Sequence, residues 1–249
     1  MEGTAVPGRL NWRVAKVARV IRETARVRSF ELDCPDWPGH FAGQHVDVRL
    51  TAEDGYQAQR SYSIASGPED VRLMLTVERL EDGEVSPYLI DVLGPGDELE
   101  LRGPIGGYFV WTKAEAAPLL LIAGGSGVVP FRSILRHRAA VDDNTPVRML
   151  YSARSVADII YREELGQLSE GAGVNVHFTL TREWPSEWTG YRRRVDLELL
   201  RELSWPAADQ ALVYICGPTA FVEAAANALV TLGHEPSRIK TERFGPTGR

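Results

Sequence analysis

A change of pattern near the middle of this chain limits its fold more than any single motif. Up to about residue 111, short segments alternate in polarity or run β-branched: Arg13–Ile21, Val27–Leu32, His45–Leu50, Val71–Arg79 and Glu98–Arg102. Turn-forming clusters separate them, among them Pro38-Gly39, Asp54-Gly55, Asp82-Gly83 and Gly94-Pro95-Gly96-Asp97. Many short strands with such spacers predict a barrel or sandwich. One helix, Pro87 to Leu93, interrupts them; it follows Ser86, a good N-cap, with proline at its first position. From Pro118 onward, apolar runs (Leu119–Ala123, Val147–Ser152, Val174–Leu180, Ala211–Cys216, Arg238–Glu242) alternate with helical patterns. The helices fall at Pro130–Ala140, Asp158–Leu168, Asp196–Leu203 and Pro218–Leu232. That alternation predicts a doubly wound parallel sheet. The expected division is residues 1–113 and 114–249, the boundary lying in Trp111–Pro118.

Composition removes several function classes. A net charge of −6 argues against nucleic acid as the main ligand, because a phosphate backbone calls for a basic face. Cys34 and Cys216 are the two cysteines, too few for an iron–sulfur cluster or a disulfide framework, so no metal is expected. Met1–Arg9 carries no apolar run of signal-peptide length, and no stretch approaches a membrane span. The expectation is a soluble cytoplasmic protein.

Four segments carry chemistry. In Arg60-Ser61-Tyr62-Ser63, alternation turns Arg60 and Tyr62 one way and Ser61 and Ser63 the other. A guanidinium can grip phosphate in two places, a tyrosine ring can stack on a flat heterocycle, and a serine can bond a ring nitrogen. Read alone, the tetrapeptide is as readily a plain polar strand. Gly83-Glu84-Val85-Ser86 opens the expected helix, whose free N–H groups suit an anion, or is simply a loop and cap. Gly124-Gly125-Ser126-Gly127 joins a strand to a helix, and Pro130 stands where a dinucleotide fingerprint has its third glycine. Cys216-Gly217-Pro218 ends a strand on the side where such sheets bind ligands; a buried inert cysteine reads equally well. Beyond these, Ser152 closes a strand that leads into Arg154, with no carboxylate before Asp158. Arginines placed this way fit the 2′-phosphate of NADP, or form a solvated basic face.

Taken in order, these segments resemble the ferredoxin–NADP(+) reductase superfamily along nearly the whole chain. The resemblance implies an FAD-binding antiparallel β-barrel followed by an NAD(P)-binding α/β domain. Arg60 would hold a flavin phosphate, with Ser61 beside it; Tyr62 would stack on the flavin ring, and Ser63 would bond near its reactive nitrogen. Thr76, Val77 and Glu78 would line the flavin through their backbone. Gly83, Val85 and Ser86 match the pyrophosphate turn. Gly124, Gly125, Ser126, Gly127 and Pro130 match the nicotinamide-nucleotide loop, and Cys216, Gly217 and Pro218 the motif beside the nicotinamide. Thr181 and Arg182 look like the 2′-phosphate segment. Glu242 and Phe244 resemble the acid-x-aromatic pattern that closes the nicotinamide pocket. Ser63, Cys216, Glu242 and Phe244 are thus the expected catalytic set. The implied activity is reduction by NADPH, with NADH less favoured, and electron delivery to a separate ferredoxin-like or oxygenase component. A free-flavin or quinone reductase, or a non-catalytic FAD subunit, are the alternatives. Glu78 departs from the basic residue of plant-type members, and Gly245–Arg249 extends past the closing aromatic.

Overall fold

A computed structural model describes residues 10–114, 117–170 and 173–245. Residues 1–9 and 246–249, both discussed above, lie outside the described residues. The amino-terminal sheet comprises β1 (Trp12–Arg22), β2 (Val27–Asp33), β3 (His45–Thr51), β4 (Gln57–Ser63), β5 (Leu73–Glu78) and β6 (Glu98–Ile105). Their spatial order is β4-β3-β6-β1-β2-β5, every pair antiparallel. The two outer strands meet through an Ile64–Leu75 bridge and the bond from Ala65 N–H to Met74 O, 2.8 Å, so the sheet closes as a barrel. Alternate residues point inward: Ala15 and Val17 from β1, Phe30 and Leu32 from β2, Val46 and Val48 from β3. Helix α1 (Ser86–Asp91) seals the barrel with Leu89 and Ile90. Contrary to the expectation above, Ser86 is not its N-cap. That place belongs to Val85, while Ser86 Oγ accepts the Leu80 N–H at 3.0 Å. The serine ties the preceding turn back on itself instead of capping the helix.

The second sheet holds β7 (Leu119–Gly124), β8 (Val147–Ala153), β9 (Val174–Leu180), β10 (Leu212–Pro218) and β11 (Ile239–Phe244), all parallel, in the order β11-β10-β7-β8-β9. Helices α2 (Val129–Ala140), α3 (Arg162–Glu170), α4 (Leu197–Leu203) and α5 (Thr219–Thr231) cover it. Central β7 is buried at all six residues because both faces are covered. Leu119, Leu121 and Ala123 enter the core shared with α2 and the barrel, and Leu120 and Ile122 enter the core with α4 and α5. Two of the expected helices are revised in detail. Asp158 ends a short 3-10 turn, and the left-handed Tyr161 (φ 58°) stands between that turn and α3. Asp196 caps α4, accepting the Leu199 N–H at 2.9 Å.

One core cluster spans both sheets, with Val27, Ala65, Met74 and Trp111 packed among α2 and β7 residues. Helix α2 reinforces that junction with polar side chains. Arg132, nearly buried, donates to Ala65 O at 2.8 Å and pairs with Glu164 at 2.7 Å; Ser133 donates to Ser66 O at 2.6 Å. Arg136 makes a two-pronged pair with Asp70, and His137 meets Glu69 at 2.7 Å.

Candidate active site

The order of the parallel sheet reverses beside β7, so a crevice opens where the carboxyl ends of β7, β8, β9 and β10 meet. A cavity of about 210 Å³ lies there. Of the residues expected from sequence, Glu78, Gly124, Gly125, Ser152, Arg154, Thr181, Pro218 and Phe244 line it. The link from β7 to α2 is a 3-10 turn, Gly125–Val128, with Pro130 in the first turn of the helix. Gly125 has φ +56°, and a Cβ there would meet nothing within 4 Å, leaving a bare backbone facing the crevice. Gly127 is glycine for a different reason. A Cβ would stand 2.1 Å from Cys216 O, so the turn rests directly on the end of β10. Gly124 and Gly217 pass beneath the Phe221 ring, at 2.9 and 2.8 Å from where their Cβ atoms would be.

Two residues of this set are placed differently from the sequence reading. Ser126 turns its hydroxyl away from the turn's backbone to Glu78 Oε2, 2.8 Å, tying the turn to the barrel. Arg182 is exposed and does not line the cavity; its N–H bonds Arg154 O at 3.0 Å, which puts the two arginines side by side at the rim. The crevice also contains Asp158, the first carboxylate after β8, and two residues that the sequence did not mark, Thr24 and Arg26 from the β1–β2 turn. Their contribution depends on how the barrel sits against the sheet, which no local pattern records.

The barrel rim carries the second group. Arg60 and Tyr62 pair with Val48 and Val46 of β3, on the apolar side, and Tyr62 packs against the barrel core, where burial raises its hydroxyl pKa. Arg60 Nη2 contacts Glu84 Oε2 at 2.7 Å, and Tyr56 donates to the other oxygen of Glu84. The Gly83–Ser86 turn and Arg60 are therefore neighbours, as one pyrophosphate would need, and Glu84 supplies an anion to Arg60 in the meantime. Both side chains are about half exposed (53% and 48%), so an incoming phosphate can displace the carboxylate cheaply. Val85 is fully buried, so it shapes the turn from below. Ser61 donates to Asp47 at 2.7 Å and faces away from Arg60. In β5, Thr76 is buried against Ser29 and Tyr161, Val77 enters the barrel core, and Glu78 reaches Ser126. The Thr76 side chain is committed inward, which leaves the backbone of this outer strand as its means of lining a ligand.

The third group joins the two sheets. Ser63 ends β4, while Cys216 and Glu242 are register partners on β10 and β11. The Cys216 thiol hydrogen-bonds Glu242, at 3.8 Å from Oε2, and Ser63 stands beside the same carboxyl. Burial pushes the Glu242 carboxyl up to about 7, against the lowering effect of these two neighbours. Burial, with Glu242 beside it, also raises the Cys216 thiol well above its ordinary value, so it stays protonated at neutral pH. His45, the register partner of Ser63, brings Nδ1 to 3.8 Å from Glu242 Oε1. A lone histidine in a strand carries no sequence signal, and it was not foreseen. Phe244, two residues after Glu242, pairs with Pro218 and packs against the shared core at the cavity wall.

These groups fit the two nucleotides that the sequence suggested. An arginine beside a glycine turn, with a tyrosine half-sunk next to them, suits a flavin nucleotide. A bare glycine backbone at the end of a parallel strand, with arginines at the rim, suits a nicotinamide nucleotide. Comparison with known proteins agrees. Residues 11–110 match the family described as the oxidoreductase FAD-binding domain, and residues 121–227 the oxidoreductase NAD-binding domain. The chain is 38% identical over 210 residues to ferredoxin–NADP reductase B of Sorangium cellulosum, covering 82% of this chain and 84% of that one. It is 34% identical over 240 residues to the glycine betaine monooxygenase reductase subunit of Pseudomonas aeruginosa, covering 94% of this chain but 64% of the relative. This chain thus spans under two thirds of that reductase subunit's length. The FAD/NAD-binding domain of nitric oxide dioxygenase from Vibrio cholerae superposes with a TM-score of 0.84 at 28% identity, covering 94% of this chain and 99% of that domain. Among the described residues no helix is long and apolar enough to cross a membrane. With its FAD-binding barrel, its NAD-binding sheet and their shared site, the chain belongs to the ferredoxin–NADP(+) reductase superfamily.

Proposed function

We propose that this protein is an NAD(P)H-dependent flavoprotein reductase that passes electrons to a separate protein acceptor. The carrying observation is the meeting of Ser63, Cys216 and Glu242, from three strands of two sheets, where the barrel and the parallel sheet adjoin. Bound FAD would take a hydride from the nicotinamide and give up its electrons one at a time. The chain's own residues position the partners and control water and protons. Arg60 and the Gly83–Ser86 turn hold the flavin pyrophosphate, Arg60 exchanging Glu84 for phosphate. Tyr62 gives the ring a flat, half-buried support. Gly125 and the start of α2 take the nicotinamide nucleotide's phosphates at a helix N-terminus. The Cys216 thiol, neutral and buried, presses the nicotinamide end without adding charge. Glu242, near its midpoint at neutral pH, holds or releases a proton beside Ser63. Phe244 walls the site off from water until the nucleotide enters. The division of labour falls between residues 113 and 114.

The preferred donor is NADPH. Arg154 lines the crevice and Arg182 flanks it, and a 2′-phosphate presents almost two negative charges to them. The acceptor is a ferredoxin-like or oxygenase component, by analogy with the relatives named above, and the compartment is the cytoplasm. Anaerobic addition of NADPH to the purified yellow protein tests this reading. Loss of the flavin absorption band is expected, followed by its return on adding a one-electron acceptor. A band that persists under excess NADPH and NADH would leave the FAD-holding subunit as the remaining reading.

A further inference from the structure

Arg26 lines the crevice but belongs to the barrel, and no role assigned so far uses it. It sits in the β1–β2 turn, whose backbone is firmly held. The Glu23 and Thr24 N–H groups both bond Val27 O, at 3.0 and 3.2 Å, and Thr24 Oγ1 accepts the Arg26 N–H at 3.2 Å. Arg26 O accepts the Arg79 N–H at 2.9 Å, which continues the ladder between β2 and β5. The next residue, Val27, is buried in the core that the two sheets share. The turn is thus pinned to both, and it holds Arg26 on the barrel wall of the crevice, across from Ser152, Arg154 and Thr181 of the parallel sheet.

The strand register relates Arg26 to the glycine turn. Val27 pairs with Glu78, and the Glu78 carboxylate accepts the Ser126 hydroxyl within Gly125–Val128. The bare backbone at Gly125 is therefore one strand pair away from Arg26. On the reductase reading above, a nicotinamide nucleotide lies with its nicotinamide toward Cys216 and Phe244 and its adenosine toward Arg154 and Arg182. The pyrophosphate that joins the two halves then crosses the middle of the crevice. We propose that Arg26 is a nucleotide-binding residue supplied by the barrel, its guanidinium taking that pyrophosphate from the wall across from Gly125. The nucleotide is then held by both sheets at once, and Arg26 serves NADPH and NADH alike.

Charge gives the reason. Among the described residues, the charged side chains lining the cavity are Arg26, Arg154, Glu78 and Asp158. The carboxylates balance the arginines, so Arg154 alone cannot offset a pyrophosphate and a 2′-phosphate together. Both carboxylates already accept a hydroxyl, Glu78 from Ser126 at 2.8 Å and Asp158 from Ser155 at 2.6 Å. The arginines are left to respond to an incoming anion. Arg26 is also readily released. Its Nη2 stands 3.1 Å from Glu81 Oε1 and donates to Arg79 O at 3.1 Å, at a surface where the Arg26 and Glu81 side chains are 44% and 65% exposed. Water screens such a pair to little strength. Glu81 is not stranded when Arg26 leaves, because Arg79 pairs with it too. Behind the turn, Arg22 and Arg28 are direct register partners, a like-charge pair that an anion nearby relieves.

The test uses the intact flavin-loaded protein. Calorimetry measures the binding of NADP+, of ADP-ribose, which carries the pyrophosphate without the 2′-phosphate, and of 2′-AMP, which carries the 2′-phosphate without the pyrophosphate. Arg26→Ala should bind NADP+ and ADP-ribose about tenfold more weakly, the scale of one charge-assisted contact, and 2′-AMP as the wild type does. KM should rise by the same factor for NADPH and NADH, so that their ratio does not move. Glu81→Gln, which releases Arg26 without removing it, should bind ADP-ribose about twofold to fivefold more tightly. Weaker 2′-AMP binding with ADP-ribose unaffected would put Arg26 on the other phosphate and overturn the assignment. Unchanged affinities in Arg26→Ala overturn it as well, as does a variant that sheds its flavin, which would put the guanidinium on FAD. Should Arg26→Ala not fold, a Glu81→Gln protein that gains nothing overturns the exchange by itself. In all these cases a wild type that NADPH bleaches leaves the reductase reading intact. A wild type that is not bleached and binds none of the three ligands overturns the reductase reading, and the assignment with it.

Discussion

The barrel and the parallel sheet touch on two sides, and the two sides are built differently. On the α2 side the contact is dense. A buried arginine with three partners, a serine on a backbone carbonyl, a two-pronged ion pair and a histidine–carboxylate pair grip residues 65–70 and Met74. On the crevice side and along the sheet edge the crossing bonds are single ones: Ser126 to Glu78, the Tyr161 hydroxyl to Thr76, Tyr108 to Ile239 O, and Tyr214 and Lys240 to Val110 O. The dense side makes a fixed seam. The sparse side leaves backbone and half-exposed charges free for ligands. Chemistry that needs two nucleotides to meet at a set distance benefits from this division, because the seam holds the geometry while the crevice exchanges its contents.

Breaking the seam should have the largest effect. Arg132→Ala strands Ala65 O and leaves Glu164 with Arg136 as its remaining cation. Removing one member of a nearly buried pair should cost about 3 kcal/mol. The check is the urea midpoint at an unchanged m-value. A shift worth under about 1 kcal/mol would mean that apolar packing, and not these bonds, makes the seam.

The crevice side should show itself through pH. Glu242 has a folded pKa of about 7 against an ordinary 4.5. Below 4.5 the carboxyl is protonated in both states and contributes nothing. Between 4.5 and 7 the unfolded chain releases this proton while the folded protein keeps it, so stability falls as pH rises. Above 7 the cost is complete, as much as ~3 kcal/mol at ~1.4 kcal/mol per unit. Glu242→Gln should remove that slope, gaining on the wild type between pH 4.5 and 7 and running parallel to it above. Parallel stability curves throughout would mean that the carboxyl is better solvated than its burial implies.

Arg60→Ala tests the barrel rim. If the Arg60–Glu84 pair holds a place for phosphate, the variant should keep its fold and bind FAD about tenfold to a hundredfold more weakly, one charge-assisted contact being worth about 1.5–3 kcal/mol. Flavin content after gel filtration and direct titration of the apoprotein measure it. Unchanged affinity would put the phosphate elsewhere.

What the sequence could disclose follows the same division. Strands such as Leu119–Gly124 and Val27–Asp33 announce themselves because a packed face demands a regular period. β4 (Gln57–Ser63) did not stand out among the strands, since its polar residues face the rim where a ligand, not protein, would cover them. The site motifs were legible where a backbone demands glycine, as at Gly125 and Gly127. Arg132 was not, because a charged residue on a helix reads as solvated until the neighbouring domain is in place. Thr24, Arg26 and His45 were hidden for the same reason, each being brought to the site by the seam.

The smallest expected effect concerns the choice of nucleotide, and it pits two adjacent residues against each other. Sequence context favours Arg182, flanked by Thr181 and Glu183, while the geometry favours Arg154, whose side chain lines the crevice. The two are tied together, Arg182 N–H to Arg154 O at 3.0 Å, so either guanidinium can approach a 2′-phosphate from the rim. Asp158 also lines the crevice, and its carboxylate would repel that phosphate. Asp158 is already bonded by Ser155 Oγ at 2.6 Å and turned toward its own 3-10 turn, which moderates the repulsion. A single arginine contact at this exposed rim should be worth about 1.5 kcal/mol, or roughly a tenfold preference in kcat/KM for NADPH over NADH. Arg154→Ala should erase most of that ratio by raising KM for NADPH alone, and Arg182→Ala should erase less. If Arg182→Ala has the larger effect, the side chain swings inward when the nucleotide binds, and the crevice side is looser still. If Asp158→Asn raises the ratio while neither arginine variant lowers it, then repulsion by this carboxylate, not attraction, sets the specificity.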